Sequence, residues 1–432
     1  MNRNLVTFIK NDLFQKIALV SIGAAFAQAI NLISTPIISR LFDPSAFGIL
    51  ALFTAVTSTI GSIASLRYEI AIPLEKTKIG SKNVVLLCLI ISAVSCIFLS
   101  VAIPIAEKIN HNYFIQINFD EFKNLIPLYI LFSSINLTIA QWTCKIERYT
   151  ITAIIPIIRT STIALFQISS GLFQSTNIFL LYGYFAGQVC AMLFSATWAQ
   201  RNGKIFSAKK RNIPIIIKLI KKYAFLPKLA APQELLNTLS QNLPNLILPF
   251  FFSPQHIGFY WLSIKVLQIP STIIGNSVRQ VLYAKICSLQ NQNKPSSYII
   301  IQYSIILFTI GTIMLAPVAI WGVEIFTLAF GRNWTEAGEY SKWIAPWIIM
   351  GFSNIPSTCA IQALKLQKKL LCWESFHFTA RTATLLYVPL QYGMEQTVAA
   401  YATVGIVFNV ILIAMGLYYS NMMLKKEKVE EK

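Results

Sequence analysis

Cationic side chains recur inside otherwise apolar segments of this 432-residue sequence, and they are its clearest candidates for chemistry. Arg159, Lys265 and Arg381 each lie deep in an apolar run, where an unpaired charge costs about 3 kcal/mol or more. Lys228 and Arg67 lie nearer the ends of such runs, and Lys228 could instead extend its amine to the membrane surface. A guanidinium group matches phosphate oxygens with a fork of donors. The excess of cations therefore predicts an anionic, phosphate-bearing ligand.

A polar face on one predicted helix combines an acid, a histidine and an arginine. Glu374, His377 and Arg381 are spaced i, i+3 and i+7, which places them on the same side of a helix. Two interpretations stay open: a structural cluster that holds helices together, or the wall of a hydrated basic cavity. His377 could titrate near neutral pH, although a single helical histidine is more often a packing residue.

The elements that position these residues are predicted to be membrane helices. The chain is 55% hydrophobic and 12% charged, with a mean hydropathy of +0.59. A soluble domain carries about 25% charged residues, so the composition indicates a polytopic membrane protein. Twelve spans are predicted near 13–37, 46–66, 83–105, 124–143, 151–170, 177–198, 223–250, 257–280, 298–322, 343–362, 370–390 and 396–420.

The distribution of Lys and Arg predicts the orientation of these spans. One set of alternate loops holds 27 of the 36 basic residues and the other set holds 5. The positive-inside rule then places both termini in the cytoplasm. This asymmetry accounts for most of the net charge of +19, so no nucleic-acid partner is expected. The basic segment 200–222 is predicted to contact anionic lipid at the inner leaflet.

A repeated turn predicts two related halves. The run from Phe42 to Gly48 matches the run from Phe252 to Gly258 in the positions of Pro and Gly, and Lys145 similarly matches Lys365. Six spans in each half give a parallel repeat around a central cleft. The predicted fold is therefore all-α, with about twelve helices in two pseudo-symmetric six-helix bundles. The predicted parts are an N-terminal bundle (1–199), a basic cytoplasmic linker (200–222) and a C-terminal bundle with a short tail (223–432).

The seven cysteines are scattered singly, so small apolar packing residues are the interpretation they favour. No Cys/His spacing indicates a metal site. We therefore expect no metal, no cofactor and no catalytic residues.

Several motifs in the sequence resemble one family of membrane proteins. The motifs are Pro227, Ala231-Pro232-Gln233, Leu235-Leu236-Asn237, Leu239-Ser240-Gln241-Asn242-Leu243-Pro244, Gly258-Phe259-Tyr260, Leu267-Gln268-Ile269-Pro270, Ile274-Gly275-Asn276-Ser277-Val278 with Gln280-Val281, Ser39-Arg40-Leu41-Phe42-Asp43-Pro44, Phe47-Gly48 and Leu66-Arg67-Tyr68-Glu69-Ile70-Ala71-Ile72. Together they resemble the Wzx-type flippases of O-antigen and capsule repeat units, in the multidrug/oligosaccharidyl-lipid/polysaccharide exporter superfamily. Glu234 departs from the pattern, where a small residue is expected, and is predicted to pair with Lys228 or Arg279.

The resemblance implies a flippase in the bacterial inner membrane. Its substrate would be a polyprenyl-diphosphate-linked oligosaccharide, moved from the cytoplasmic to the periplasmic leaflet by alternating access. Arg159, Arg381 and Lys265 would hold the diphosphate, and Arg67 and Lys228 would recruit it. Glu374 and His377 are the candidates for ion coupling. Membrane lipids and polysaccharide polymerases are expected partners, and a monomer could suffice.

Two other functions stay open at this point. A cation-coupled multidrug exporter would need a buried acid in the first bundle, and the first six predicted spans contain no mid-span Asp or Glu. A membrane glycosyltransferase or polymerase would need catalytic groups on sizeable outer loops. The longest predicted outer loops, 105–123 and 323–342, are short and carry no paired metal-binding motif.

Overall fold

The computed structural model describes residues 12–109, 120, 122–173, 176–202, 213–292, 296–364 and 366–430. All regular secondary structure in these ranges is helical, which confirms the predicted all-α class. Lys365 of the repeat match, residues 203–212 of the predicted linker and residues 110–119 of the first outer loop lie outside the described residues.

The first compact unit comprises residues 1–250. Its described helices are α1 (Asp12–Leu41), α2 (Pro44–Gly61), α3 (Ala71–Leu74), α4 (Lys78–Ile109), α5 (Leu125–Lys145), α6 (Tyr149–Phe173), α7 (Asn177–Arg201), α8 (Ile213–Lys222) and α9 (Ala231–Ile247). A 3-10 turn, Tyr68–Ile70, precedes α3, and a π-helical turn, Leu226–Ala230, precedes α9.

Apolar side chains hold this unit together along neighbouring helices. α1 packs on α6, α6 on α7, α4 on α5 and α2 on α9. One buried cluster includes Tyr68, Val84, Trp142 and Leu226, so it joins the 3-10 turn, α4, α5 and the π-helical turn. This cluster positions Arg67, which precedes Tyr68, and Lys228, which lies two residues after Leu226.

The second compact unit comprises residues 251–432. Its described helices are α10 (Pro254–Asn291), α11 (Ser297–Ile320), α12 (Gly322–Phe330), α13 (Thr335–Ser353), α14 (Ile355–Ala363), α15 (Gln367–Tyr387) and α16 (Met394–Glu430). Helix α13 packs on α10, α11 and α16, and α15 packs on α16. Helix α13 is thus the central element of this unit.

Ten of the twelve predicted spans coincide with helical segments that are long and apolar enough to cross a membrane, counted over the described residues. The remaining two predictions, 223–250 and 370–390, correspond to α9 and α15, which are helical but do not meet that measure. These two helices carry Glu234, Glu374, His377 and Arg381. The polar groups in both helices must therefore be satisfied by neighbouring helices, or contact water or a ligand.

The repeated turn begins a helix in each unit. Pro44 and Pro254 each occupy the first turn of a helix, after extended residues Asp43 and Ser253 with ψ angles of 153° and 157°. Proline suits this position because its missing N–H has no intrahelical acceptor there, and it favours an extended preceding residue. The homology of the two halves and the predicted domain boundaries stay predictions.

Candidate functional site

Arg381 lies against two aromatic rings of neighbouring helices. Its guanidinium carbon is 4.8 Å from the ring centroid of Trp347 on α13 and 4.8 Å from that of Tyr401 on α16. The two rings contact each other edge to face, with centroids 5.4 Å apart. A cation over an aromatic face is attracted by the negative charge of that face. The rings therefore fix the Arg381 side chain without neutralising its charge.

The polar face of α15 is not one hydrogen-bonded cluster. His377 stacks on Phe408 of α16, with ring centroids 4.6 Å apart, and Trp373 packs on the same ring. Glu374 is exposed and makes no ion pair within the described residues. The stacking of His377 is the arrangement of a packing residue. The assignment of Glu374 and His377 to ion coupling stays a prediction.

Lys265 of α10 is also held by an aromatic ring. Its Nζ atom lies 4.5 Å from the ring centroid of Trp261, one helical turn earlier. Within the described part of the chain, Lys265 makes no ion pair with a carboxylate. Its amine therefore has no carboxylate to compete with an anionic ligand.

Arg159 belongs to the first unit and lies on α6, close to the packing surface of α7. A Cβ atom added at Gly187 of α7 would lie 2.7 Å from the Arg159 carbonyl oxygen, so the two helices approach closely there. The Arg159 Nε atom is buried without a hydrogen-bond partner among the described residues, and the same holds for Nε of Arg67 and Arg381. These arginines share unused donors, a property that suits an oxygen-rich ligand.

Arg67, in contrast, lies between two acids. Its Nη1 atom is 3.5 Å from Glu69 and its Nη2 atom is 3.6 Å from Glu234 on α9. The predicted pairing of Glu234 with Lys228 or Arg279 is therefore wrong. The prediction failed because it considered only nearby residues of the sequence. In the fold, α9 packs on α2 and the π-helical turn packs on the 3-10 turn, and these contacts bring Glu234 to Arg67. Lys228 is exposed on that π-helical turn.

The junction between α3 and α4 carries a polar network that the sequence did not reveal. Glu75 Oε2 accepts hydrogen bonds from Lys222 Nζ at 2.6 Å and from the Tyr223 hydroxyl at 3.0 Å. Burial raises the pKa of the Glu75 carboxyl, but the two hydrogen bonds outweigh burial and leave the pKa below its usual value. The hydrogen bond to Glu75 raises the pKa of Lys222. This network fixes the end of α8 to the junction between α3 and α4.

The sequence prediction correctly places Arg159 and Lys265 in long apolar helices, whereas Arg381 lies on α15, which is less apolar. It did not find Trp347, Tyr401 or the Glu75 network, because these groups are distant in sequence from the residues that they contact. One local signal was available: Trp261 lies one helical turn before Lys265 in the same predicted span. Within the first unit, the structure brings the turn bearing Arg67 beside the turn bearing Lys228. Whether Arg159, Lys265 and Arg381 act together stays a prediction.

The fold is that of a class of membrane transporters. The chain superposes on an inward-facing multidrug resistance MATE family transporter of the MOP superfamily with a TM-score of 0.71 and 12% identity, covering 93% of this chain and 95% of that one. It superposes on the lipid II flippase MurJ, in an inward closed conformation, with a TM-score of 0.67 and 12% identity. This superposition covers 96% of this chain and 93% of MurJ. A MOP superfamily transporter from Pyrococcus furiosus gives a TM-score of 0.58 at 11% identity, over 96% of each chain.

Sequence comparison narrows this class. The chain matches the family described as "Polysaccharide biosynthesis protein" over residues 37–339, and it belongs to that family. The match confirms the resemblance that the sequence motifs indicate. The first of these motifs begins at Ser39, so all of them lie inside the matched range. A comparison with curated proteins finds no match.

Proposed function

We propose that this protein is a flippase for a polyprenyl-diphosphate-linked oligosaccharide, which it moves from the cytoplasmic to the periplasmic leaflet by alternating access. The observation that carries the proposal is that Arg159, Lys265 and Arg381 make no ion pair with a carboxylate in the described part of the chain. Arg159 and Lys265 lie on helices apolar enough to cross a membrane, where an unpaired cation is costly and is a candidate for a substrate pathway. Family membership and the fold shared with a lipid II flippase support the same substrate class.

The chemistry of the diphosphate explains why the cations are needed. The headgroup carries at least two negative charges, which do not cross hydrocarbon unpaired. Arg159, Lys265 and Arg381 are the residues proposed to replace water around the phosphate oxygens. The arginines would donate paired hydrogen bonds and Lys265 a single point charge. The polyprenyl tail stays in lipid throughout, so only the headgroup and sugars need a polar route.

Arg67 and Lys228 are proposed to bind the headgroup before it enters that route. Both lie on neighbouring turns of the first unit. The proposal also assigns these turns to the cytoplasmic side of a bacterial inner membrane, with both termini in the cytoplasm, and the positive-inside distribution of Lys and Arg supports this orientation. This is the leaflet on which the oligosaccharide lipid would be presented.

Helix α8 forms the C-terminal part of the predicted basic linker, and we propose that it lies on anionic lipid. Lys218, Lys221 and Lys222 are exposed, while Leu219 is buried against the first unit. Ile217 and Ile220 remain exposed beside the lysines. An apolar edge with adjacent lysines is typical of a helix at the membrane surface.

A multidrug exporter is the second candidate, because the superposed MATE transporter carries that printed function. Such a protein would need a free acid for an organic cation. Glu69 is a buried acid of the first unit, but it already accepts a hydrogen bond from Ser65 and pairs with Arg67. The exporter would be favoured if deletion of the protein changed drug susceptibility and left the surface polysaccharide unchanged.

Leaflet translocation tests the flippase proposal directly. The protein is reconstituted in liposomes with a polyprenyl-diphosphate oligosaccharide, and exposure of the glycan to an external glycosidase is followed with time. We expect protein-dependent exposure that Arg159→Ala and Arg381→Ala abolish. Arg201→Ala is the matched control, since Arg201 is an exposed arginine at the end of α7. Wild-type rates in both of these arginine variants, with equal protein incorporation, would show that the cationic mechanism is wrong.

A further inference from the structure

The turn that carries Arg67 has a strained backbone. Leu66 and Arg67 have φ angles of 51° and 63°, so two consecutive residues with side chains adopt the left-handed region. Such residues persist only where their surroundings hold them, and they cluster at ligand clamps and switches. The surroundings here are specific: Leu66 N–H donates to the Ile63 carbonyl at 2.8 Å, and the Ser95 hydroxyl donates to the Ala64 carbonyl at 3.0 Å. The backbone therefore aims the Arg67 side chain in one direction.

The two acids beside Arg67 differ in how firmly they are held. The Glu69 side chain is 1% exposed and accepts a hydrogen bond from the Ser65 hydroxyl within the same turn. The Glu234 side chain is 30% exposed and lies on α9, a different segment of the chain. Glu69 is thus a fixed partner of Arg67. Glu234 is a partner that can leave.

The ion pairs leave most of the guanidinium donors unused. Both distances, 3.5 and 3.6 Å, exceed the 2.7–2.9 Å typical of charge-assisted hydrogen bonds, and the Arg67 Nε atom has no partner in the described residues. A diphosphate presents several anionic oxygens to such a fork. It would also repel the Glu234 carboxylate, because two anions would then compete for one cation.

We propose that the Arg67–Glu234 ion pair is a latch that the lipid diphosphate opens. Without ligand, Glu234 holds the first turn of α9 to the strained turn. When the diphosphate binds Arg67, Glu234 is displaced and that tether is lost. This inference rests on the proposed function, since it assigns to Glu234 the coupling of diphosphate binding to a change in α9.

The remainder of α9 is hydrogen-bonded to α2, and these bonds would stay in place when Glu234 is displaced. The Thr238 hydroxyl lies 3.1 Å from that of Ser62, and Asn242 Nδ2 donates to the Ser58 hydroxyl at 3.0 Å. These bonds join α9 to α2 and are neutral, so an anion at Arg67 does not compete for them. The π-helical turn Leu226–Ala230 lies on the other side of Glu234, and π-helical turns inside helices often occur at functional sites. Release of Glu234 would therefore act on the segment between the π-helical turn and Thr238.

A double-mutant cycle on ligand binding tests the latch. Affinity for farnesyl diphosphate is measured on the full-length protein in detergent, for wild type, Glu234→Gln, Arg67→Gln and the double variant. Glu234→Gln removes the competing anion and should tighten binding by about two- to fivefold, the range that a partly exposed ion pair supplies. Arg67→Gln should weaken binding, and the double variant should match Arg67→Gln alone. Glu107→Gln is the control, because it breaks the ion pair with Lys123 away from the turn.

Hydrogen exchange of the first turn of α9 gives a readout that a purely structural role would not produce. Farnesyl diphosphate should speed exchange there in wild type, and Glu234→Gln should show the faster exchange without ligand. If the protein binds farnesyl diphosphate but wild type and Glu234→Gln have the same affinity and exchange, the latch is overturned and the flippase proposal stands. If no form of the protein binds the diphosphate, both proposals fail.

Discussion

The guanidinium carbon of Arg381 on α15 lies 4.8 Å from the ring centroid of Trp347 on α13. Because the contact is with a ring and not a carboxylate, it orients the arginine and leaves its charge available. Gly405 of α16 makes the arrangement possible. A Cβ atom at this position would lie 2.5 Å from Trp347 Cδ1 and 2.9 Å from its Cε2 atom.

Replacing Trp347 should impair the protein through Arg381. A cation–π contact in a partly desolvated place contributes about 1 to 2 kcal/mol. If that energy holds Arg381 in its active position, Trp347→Leu should slow glycan translocation by about five- to thirtyfold. Trp321→Leu is the control, since Trp321 is 55% exposed at the end of α11. Equal rates for Trp347→Leu and wild type would show that the ring does not position Arg381.

Gly187 should tolerate no larger residue, because α6 and α7 approach closely there. A methyl group would lie 2.7 Å from the Arg159 carbonyl oxygen and 3.1 Å from Ile163 Cδ1. Overpacking of this kind costs about 1–3 kcal/mol, so Gly187→Ala should lower the thermal denaturation midpoint and the translocation rate. At Gly61 the same methyl group would meet only Ile130 Cγ1, at 4.0 Å. Gly61→Ala should therefore behave like wild type, and a similar loss in both variants would contradict the packing argument.

The Glu75 network should make stability depend on pH. The pKa of Glu75 is lowered in the folded protein, so its stabilisation is present above the unfolded pKa of about 4.3 and is lost as the pH falls through the folded pKa. The pKa of Lys222 is raised, so its contribution is present below its unfolded pKa and disappears as the pH rises through the folded value. Denaturation midpoints of wild type should exceed those of Glu75→Gln at pH 7, and the difference should shrink towards pH 3. A difference independent of pH would rule out this linkage.

A partly buried pair of asparagine side chains in the second unit should show strong energetic coupling. Asn354, between α13 and α14, donates from its side chain to the side-chain oxygen of Asn409 on α16, which is 9% exposed. Asn409→Ala leaves a donor unsatisfied and should cost about 1–3 kcal/mol. The double change Asn354→Ala with Asn409→Ala should cost less than the sum of the two single changes. Additive losses in denaturation midpoint would indicate that the two amides act independently.

Much of the architecture could be predicted from the sequence, because a helix that crosses a bilayer needs about 20 mostly apolar residues, and such segments are visible in the sequence. Pro44 and Pro254 were expected at turns, and both begin helices. Arg159, Lys265 and Arg381 were recognisable because a charge stands out in a predicted apolar span. The two helices that fall short of a membrane-spanning composition, α9 and α15, were also predicted as spans, at 223–250 and 370–390.

The contacts between charged residues of different helices could not be predicted from the sequence. Lys222 and Glu75 are 147 residues apart, and each looks like an ordinary loop charge until the fold joins them. Glu234 was assigned to cations near it in its own predicted bundle, whereas Arg67 reaches it across a helix contact. Local periodicity indicates which face of a helix is polar. It does not indicate which residue on another helix lies opposite.

The polar character of α9 has a consequence for how the chain enters the membrane during synthesis. A segment with this composition gains little from hydrocarbon alone, since each unsatisfied polar group there costs several kcal/mol. Its Thr238 and Asn242 side chains are satisfied by hydroxyl groups of α2, which leaves the ribosome far earlier. These contacts add to the hydrogen bonds that both side chains make to backbone carbonyls within α9. We therefore expect stable insertion of α9 to depend on α2, so that an early helix serves as the polar partner of a late one.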